Sequence, residues 1–363
     1  MNGKICFISL ANLYLTPYLN KYITIINTPF DIIYWNRHAI KEESSANNLF
    51  SFNYPMNESS TKIDKLLGYV KFRRYAKRIL EKNGYSGVIV LTTSAGILLN
   101  RELNKSYSKK YIVDIRDYSF EDNSVYYAIE KKMIKNSSLS VISSRGYESF
   151  LPKHNYILTH NDVSISSLII EEFRKKNTKT IRDKISISYI GLIRFHEQNK
   201  KVIKKFANDE RFNLNFIGTD SHALQPFCEE LNIKNVRFVD RFPPETTLNY
   251  YKETDIINNL YGNNSNLLDY ALSNKLYYAA LLGIPILVSP NTYMEEVACQ
   301  YGFGFSVDLN SSNVCDEIYD YYHSINWDEF YSSCDKFLES VKFDNDRFQV
   351  SIEKFIFNIT NGG

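Results

Sequence analysis

The chain has 363 residues, which suits two domains of roughly 150–190 residues rather than one core. Hydrophobic residues are 44% and charged residues 23% of it, a balance that excludes a disordered or fibrous chain. Lys and Arg total 43 against 41 Asp and Glu, so no net charge draws it to nucleic acid.

No run of about 18 apolar residues occurs, so no transmembrane helix is expected. The start, MNGKICFISLANLYL, lacks a basic n-region and a small-residue cleavage site, and residues 5–10 read as a first buried strand. The five cysteines are scattered and never in C-x-x-C spacing, which points to a reducing cytoplasm and away from structural zinc. The six histidines are equally dispersed, without an H-x-x-x-H or a His–carboxylate cluster, so no metal site is predicted.

In chain order, residues 4–10, 30–35, 87–92, 110–115 and 138–143 are short apolar runs with the length of buried strands. Helical spacing occupies 62–83 and 124–135 between them, and 155–159 would close the unit. Such alternation predicts a parallel sheet covered by helices. Residues 171–184, EEFRKKNTKTIRDK, are charged and nearly free of apolar side chains. They read as a linker between an N-terminal domain, 1–170, and a C-terminal one, 185–340.

A second alternating series follows. Strands are predicted at 184–190, 212–217, 236–239 and 255–260, and helices at 198–207, 224–231 and 246–254. The stretch 273–289, SNKLYYAALLGIPILVS, adds a helix closed by Gly283, barred from continuing by Pro285, and followed by a strand at 286–288. Residues 346–359 predict a helix, within a last segment 341–363. The fold class is therefore α/β: two Rossmann-like domains facing a central cleft, with ligands expected beyond the carboxyl ends of the strands.

Asn274 and Lys275 stand where the 273–289 helix begins, so free N–H groups, the positive dipole end and an ammonium converge on an anion, most naturally a phosphate. The stretch resembles the donor-site helix of GT-B glycosyltransferases of family 4, whose variants read roughly P-S-K-L-F-E-Y-x-A-x-G-x-P-V-V. Residues 188–194, SYIGLIR, resemble the start of that family's donor domain, with Gly191 at the turn and Arg194 three residues on; Lys200 is the loose counterpart of its phosphate-binding Lys. NLNFIGT at 213–219, NVRFVDRF at 235–242 and KETDIINNL at 252–260 resemble further strands of the same domain in order. In the first domain, YIVDIRDY at 111–118 resembles the family's strand ending in Arg-Asp-aromatic, which implies catalytic roles for Arg116 and Asp117. A structural Asp114–Arg116 or Arg116–Asp117 pair is the competing reading. Asn12 and Thr16 fall where the family contacts donor and acceptor.

One departure stands out. The family places two Glu residues with seven residues between them, and the matching positions are Tyr270 and Tyr278. A phenol supplies no carboxylate, although Asp269 is placed to stand in for the first. Two further patterns read as structure: Asp344-Asn345-Asp346 as a turn and helix cap, and Gly302-Phe303-Gly304 as a turn. Ser143-Ser144 and His160-Asn161-Asp162 match the family's turns poorly.

Residues 62–82 carry eight basic side chains against Asp64 and Glu81, with Ile63, Leu66, Leu67, Val70, Ile79 and Leu80 at helical spacing. That pattern suits either an anionic membrane surface or a core-facing helix with a solvated basic side. The resemblance implies sugar transfer from a nucleotide-sugar to a glycan or lipid-linked acceptor, without metal or other cofactor, in bacterial surface polysaccharide synthesis. The expected place is the cytoplasm, at the inner face of the membrane. The alternatives are a catalytically silent GT-B subunit, motivated by the two tyrosines, and a nucleotide-sugar epimerase of the same fold.

Overall fold

The computed structural model describes residues 3–57, 59–161, 163, 165–179 and 184–361. Asp162 and part of the expected linker, 180–183, lie outside them. The described residues form two parallel sheets within two compact units, residues 1–160 with 342–363 and residues 161–341.

The first sheet has strands β1 Ile5–Ser9, β2 Phe30–Asn36, β3 Asn48–Asn53, β4 Gly87–Leu91, β5 Tyr111–Ile115, β6 Leu139–Ile142 and β7 Tyr156–Leu158. Their order is β3-β2-β1-β4-β5-β6-β7, every pair parallel. β1, β2, β4 and β5 are buried at every residue, which is why they read as largely apolar runs, broken within them by Asp31 and Asp114, rather than alternating ones. Edge strand β3, NLFSFN, is half-exposed and polar at both ends, and sequence patterning missed it.

The second sheet has β8 Ile185–Ile190, β9 Phe212–Ile217, β10 Val236–Val239, β11 Ile256–Asn259, β12 Ile286–Val288 and β13 Gly304–Ser306. The order is β10-β9-β8-β11-β12-β13, again parallel. Chain direction across each sheet reverses once, between β1 and β4 in the first and between β8 and β11 in the second. Those two switch points, at the carboxyl ends of the strands, are where an open parallel sheet leaves room for a ligand.

The helices have readable ends. Helix Lys62–Asn83 starts at Thr61, whose side chain accepts from the Asp64 N–H, and stops at left-handed Gly84. It buries Gly68, Phe72, Ala76, Ile79 and Leu80. At Gly68 an added Cβ would stand 2.7 Å from the Trp35 ring, so the missing side chain lets a fully buried Trp reach the helix. Helix Asn274–Leu282 starts at Ser273, which accepts from the Lys275 N–H, and ends at left-handed Gly283.

One expectation is corrected. Asp344-Asn345-Asp346 is no turn; it lies inside a 35-residue helix, Trp327–Asn361. Asp344 there pairs with Arg145 at 3.2 Å and with His160 at 3.3 Å, partners distant in sequence that local pattern could not reveal. The charged stretch read as a linker is largely helical, within Ser167–Lys179.

Candidate functional site

Sequence chemistry and topology meet at the switch point of the second sheet. Gly191 follows β8 with φ +123°, and Gly218 follows β9 with φ +133°. A Cβ on Gly218 would lie 1.9 Å from the Gly191 carbonyl oxygen, so two strand-end turns pack backbone on backbone where only glycine fits. A Cβ on Gly191 would come within 4.0 Å of the Lys275 Nζ. Lys275 is thus not a solvated first-turn residue. It is buried, its Nζ donates to the Tyr261 hydroxyl at 2.7 Å, and it lies 4.0 Å from the centre of the Tyr189 ring.

Among the described residues no carboxylate pairs with this ammonium. Burial, and after it the charge of nearby Arg194, lower the Lys275 pKa from 10.5 to about 7. Arg194 is exposed, and its guanidinium has no hydrogen-bond or ion-pair partner among the described residues. Its backbone is held from both sides: the N–H donates to the Tyr189 hydroxyl, and the carbonyl accepts from Asn199 at 2.6 Å. Two basic side chains thus meet at this strand end without a carboxylate partner among the described residues, an arrangement with the chemistry to bind an anion.

Beside it opens a cavity of about 590 Å³, lined among others by Phe195, Gln198, Lys201, Tyr261, Asn263 and Asp308. Its walls are the loops leaving β11, β12 and β13 and, after β8, the first turns of helix His196–Lys205. Lys200 is elsewhere engaged, 2.7 Å from Glu197 and over the Phe227 ring; the next residue, Lys201, lines the cavity instead. Asn274 is exposed at the helix start, accepting from Asn161 at 2.6 Å. Tyr189 and Tyr261, the two rings that enclose the ammonium, were not singled out by sequence. The only local hint was the Gly262-Asn263 turn following Tyr261.

In the first unit, Arg116 and Asp114 form a buried bidentate pair at 2.5 and 2.8 Å. The same carboxylate accepts from Tyr22 at 2.6 Å, and the guanidinium lies 4.2 Å from the Tyr18 ring centre. Arg116 is therefore tied into the strand end, with Nη1 buried and without a hydrogen-bond partner among the described residues. Asp117 is exposed and lines a cavity of about 260 Å³ at the β1–β4 switch point, together with Ser9, Arg37, Thr92, Ser94 and Ser119. Thr92 holds φ +95° there, a strained turn for a β-branched residue. Asn12 and Thr16 do not line it. Asn12 is fully buried, donating to Asn36 and Glu42 and accepting from the N–H groups of Arg37 and His38. Thr16 is buried and donates to the Leu13 carbonyl. Both side chains brace loops, and Arg37 is the cation that sequence reading missed.

The described residues hold no group of three or more His, Cys, Asp or Glu placed to bind a metal ion, and no helix long and apolar enough to cross a membrane.

No protein-family model matches the chain, and no curated protein matches it in sequence. Solved structures do match in shape. A sucrose-phosphate synthase from Thermosynechococcus elongatus superposes with a TM-score of 0.71 at 11% identity, over 99% of this chain and 100% of that one. A glycosyltransferase from Rickettsia africae gives 0.64 at 12%, covering 99% and 100%. HepE of Anabaena, solved with UDP and glucose, gives 0.60 at 13%, covering 98% and 99%. The chain has the GT-B fold. Within a GT-B chain the departure from the family 4 pattern gains a physical form. Tyr278, at the second Glu position, stacks on Tyr251 with ring centres 4.7 Å apart and packs against the core. Asp269, the candidate for the first Glu, has one carboxylate oxygen buried without a partner among the described residues.

Proposed function

We propose that this GT-B chain is a glycosyltransferase that moves a sugar from a nucleotide-sugar to a hydroxyl of a glycan or lipid-linked acceptor, in the assembly of bacterial surface polysaccharide. The observation that carries the reading is the unpaired Lys275–Arg194 cation pair at the β8–β11 switch point. Among proteins of the same fold, HepE was captured with UDP.

In the transfer, the acceptor oxygen bonds to the anomeric carbon while the bond from that carbon to the diphosphate oxygen breaks. The bonding electrons leave with the diphosphate, and the acceptor proton passes to a base. Lys275 and Arg194 bind the diphosphate and stabilise the charge that grows on it, the neutralisation a divalent metal supplies in other transferases. Asp117 is the acceptor-side carboxylate, and Arg116, fixed by Asp114, is a positioning residue for that strand end. The basic helix Lys62–Asn83 rests on an anionic membrane surface.

Isothermal titration with UDP, GDP, dTDP and CMP in the presence of EDTA tests this. Binding of one of them is expected. Binding only after Mn²⁺ or Mg²⁺ is added would overturn the metal-free part. Binding of none would favour the second reading, a silent GT-B subunit, which the Tyr278–Tyr251 stack supports.

A further inference from the structure

From residue 342 onward the last helix, Trp327–Asn361, belongs to the first unit. One face of that stretch is core: Phe348, Ile352, Phe355 and Ile356 are buried in the cluster that holds Phe7, Tyr22 and Ile32. The opposite side carries a second apolar row. Phe343, Val350 and Phe357 stand seven residues apart, two helical turns each time, and are 62%, 46% and 65% exposed. The row runs about 21 Å along a helix that its other face already anchors. Three large apolar side chains in one line mark a contact that the isolated unit does not make.

The charges beside the row decide what covers it. Asp346, Arg347, Glu353 and Lys354 are all exposed and flank Val350. Four residues before Val350 stands an acid and four after it a base; three before it stands a base and three after it an acid. The apolar row has the same centre, with Phe seven residues before and Phe seven after. A second copy laid antiparallel, with a two-fold axis at Val350, therefore sets Phe343 against Phe357, Asp346 against Lys354 and Arg347 against Glu353, twice over. Self-complementarity of this kind is what a two-fold interface requires. A parallel pair would instead bring Asp346 to Asp346 and Glu353 to Glu353, like charge on like. Within the chain Asp346 meets Lys342 at 2.6 Å and Glu353 accepts from Gln349 at 2.9 Å. Arg347 and Lys354 have no ion-pair partner among the described residues, so both cations are open to the acids of a second copy.

We infer that two copies of this chain pair through residues 343–357 of the last helix, antiparallel about Val350. The pairing does not depend on the reaction the chain performs. Three apolar layers make a small interface, so dissociation in the micromolar range is expected. Sedimentation velocity from about 1 to about 200 µM should show monomer passing to dimer. Phe343→Ser with Phe357→Ser should raise the dissociation constant about a hundredfold or more. The melting temperature of the dilute protein should stay unchanged, because both rings are solvated in the single chain. Arg347→Glu or Glu353→Arg alone should weaken the dimer about tenfold at low salt, and the two together should restore it. Val350→Cys should crosslink the copies under mild oxidation beyond any background of the wild type, whereas Phe343→Cys should not, because only the residue on the axis meets itself. Wild type that stays monomeric over the whole range would overturn the pairing and leave the row to a different partner. So would a dimer that the serine variant leaves equally tight, charge reversals that fail to compensate, or Phe343→Cys crosslinking as readily as Val350→Cys.

Discussion

The Lys275 ammonium donates a 2.7 Å hydrogen bond to the hydroxyl of Tyr261, joining the start of helix Asn274–Leu282 to the residue two past the end of β11. The bond holds the cation inside the unit, against the Tyr189 ring, where water no longer solvates it. A charge kept there without a carboxylate costs stability that a bound anion would return.

Lys275 lowers stability in a defined pH window. Its folded pKa is about 7 and its unfolded value 10.5, so between those values the unfolded chain binds more protons. Stability therefore rises with pH across the window, by up to about 1.4 kcal/mol per pH unit from this group. Lys275→Met should raise the melting temperature at pH 7, and the gain should vanish towards pH 10.5. Parallel melting curves of the two proteins from pH 7 to 10 would show the Lys to be solvated.

Glu130 works with the opposite sign. It is fully buried, both oxygens lack partners among the described residues, and burial, then the Glu121 charge, raise its pKa to about 8. Its protonated form fits the fold, so its contribution is complete below pH 4.5 and is lost as pH rises through 8. Glu130→Gln should leave stability near pH 4.5 little changed and raise it at pH 8.5, read by urea denaturation. Equal urea midpoints at pH 8.5 would contradict this.

How much of this was legible depended on range. Strands β1, β2, β4 and β5 could be read because every residue is buried, leaving largely apolar runs broken within them only by Asp31 and Asp114. β3 could not, because an edge strand needs polar residues on its open side. Gly283 and Pro285 set the end of helix Asn274–Leu282 through backbone rules that act locally. The position of Lys275 was legible but its burial was not, since Tyr261 lies 14 residues upstream and Tyr189 on another strand. Asn12 looked like a ligand contact because it is polar in a strand-exit loop; its four side-chain hydrogen bonds go to the end of β2 and the loop after it, which only the fold brings near. In helix Lys62–Asn83 both apolar stripes have helical spacing, and the stripe with Gly68 and Ala76 faces the core because Trp35 needs the room.

The donor phosphates give a kinetic prediction. Charge-assisted hydrogen bonds contribute roughly 1.5–3 kcal/mol each, so Lys275→Ala or Arg194→Ala should lower donor use about ten- to a hundred-fold. Since charge grows on the departing diphosphate, part of the loss should fall in kcat and not in KM alone. Steady-state rates with saturating acceptor separate the two. Near-wild-type kcat and KM in both variants would mean that the anion site lies elsewhere.

The central claim is that Lys275 becomes fully charged when a nucleoside diphosphate binds. Calorimetric titration with that nucleotide at pH 8, in two buffers of different ionisation enthalpy, counts the protons taken up. With a free pKa of about 7, most of the Lys275 population is neutral at this pH. Wild type should therefore take up a large fraction of one proton on binding, and affinity should weaken as pH rises above 7. Lys275→Met should take up none. Tight binding to the wild type with no proton uptake at pH 8 would contradict the account.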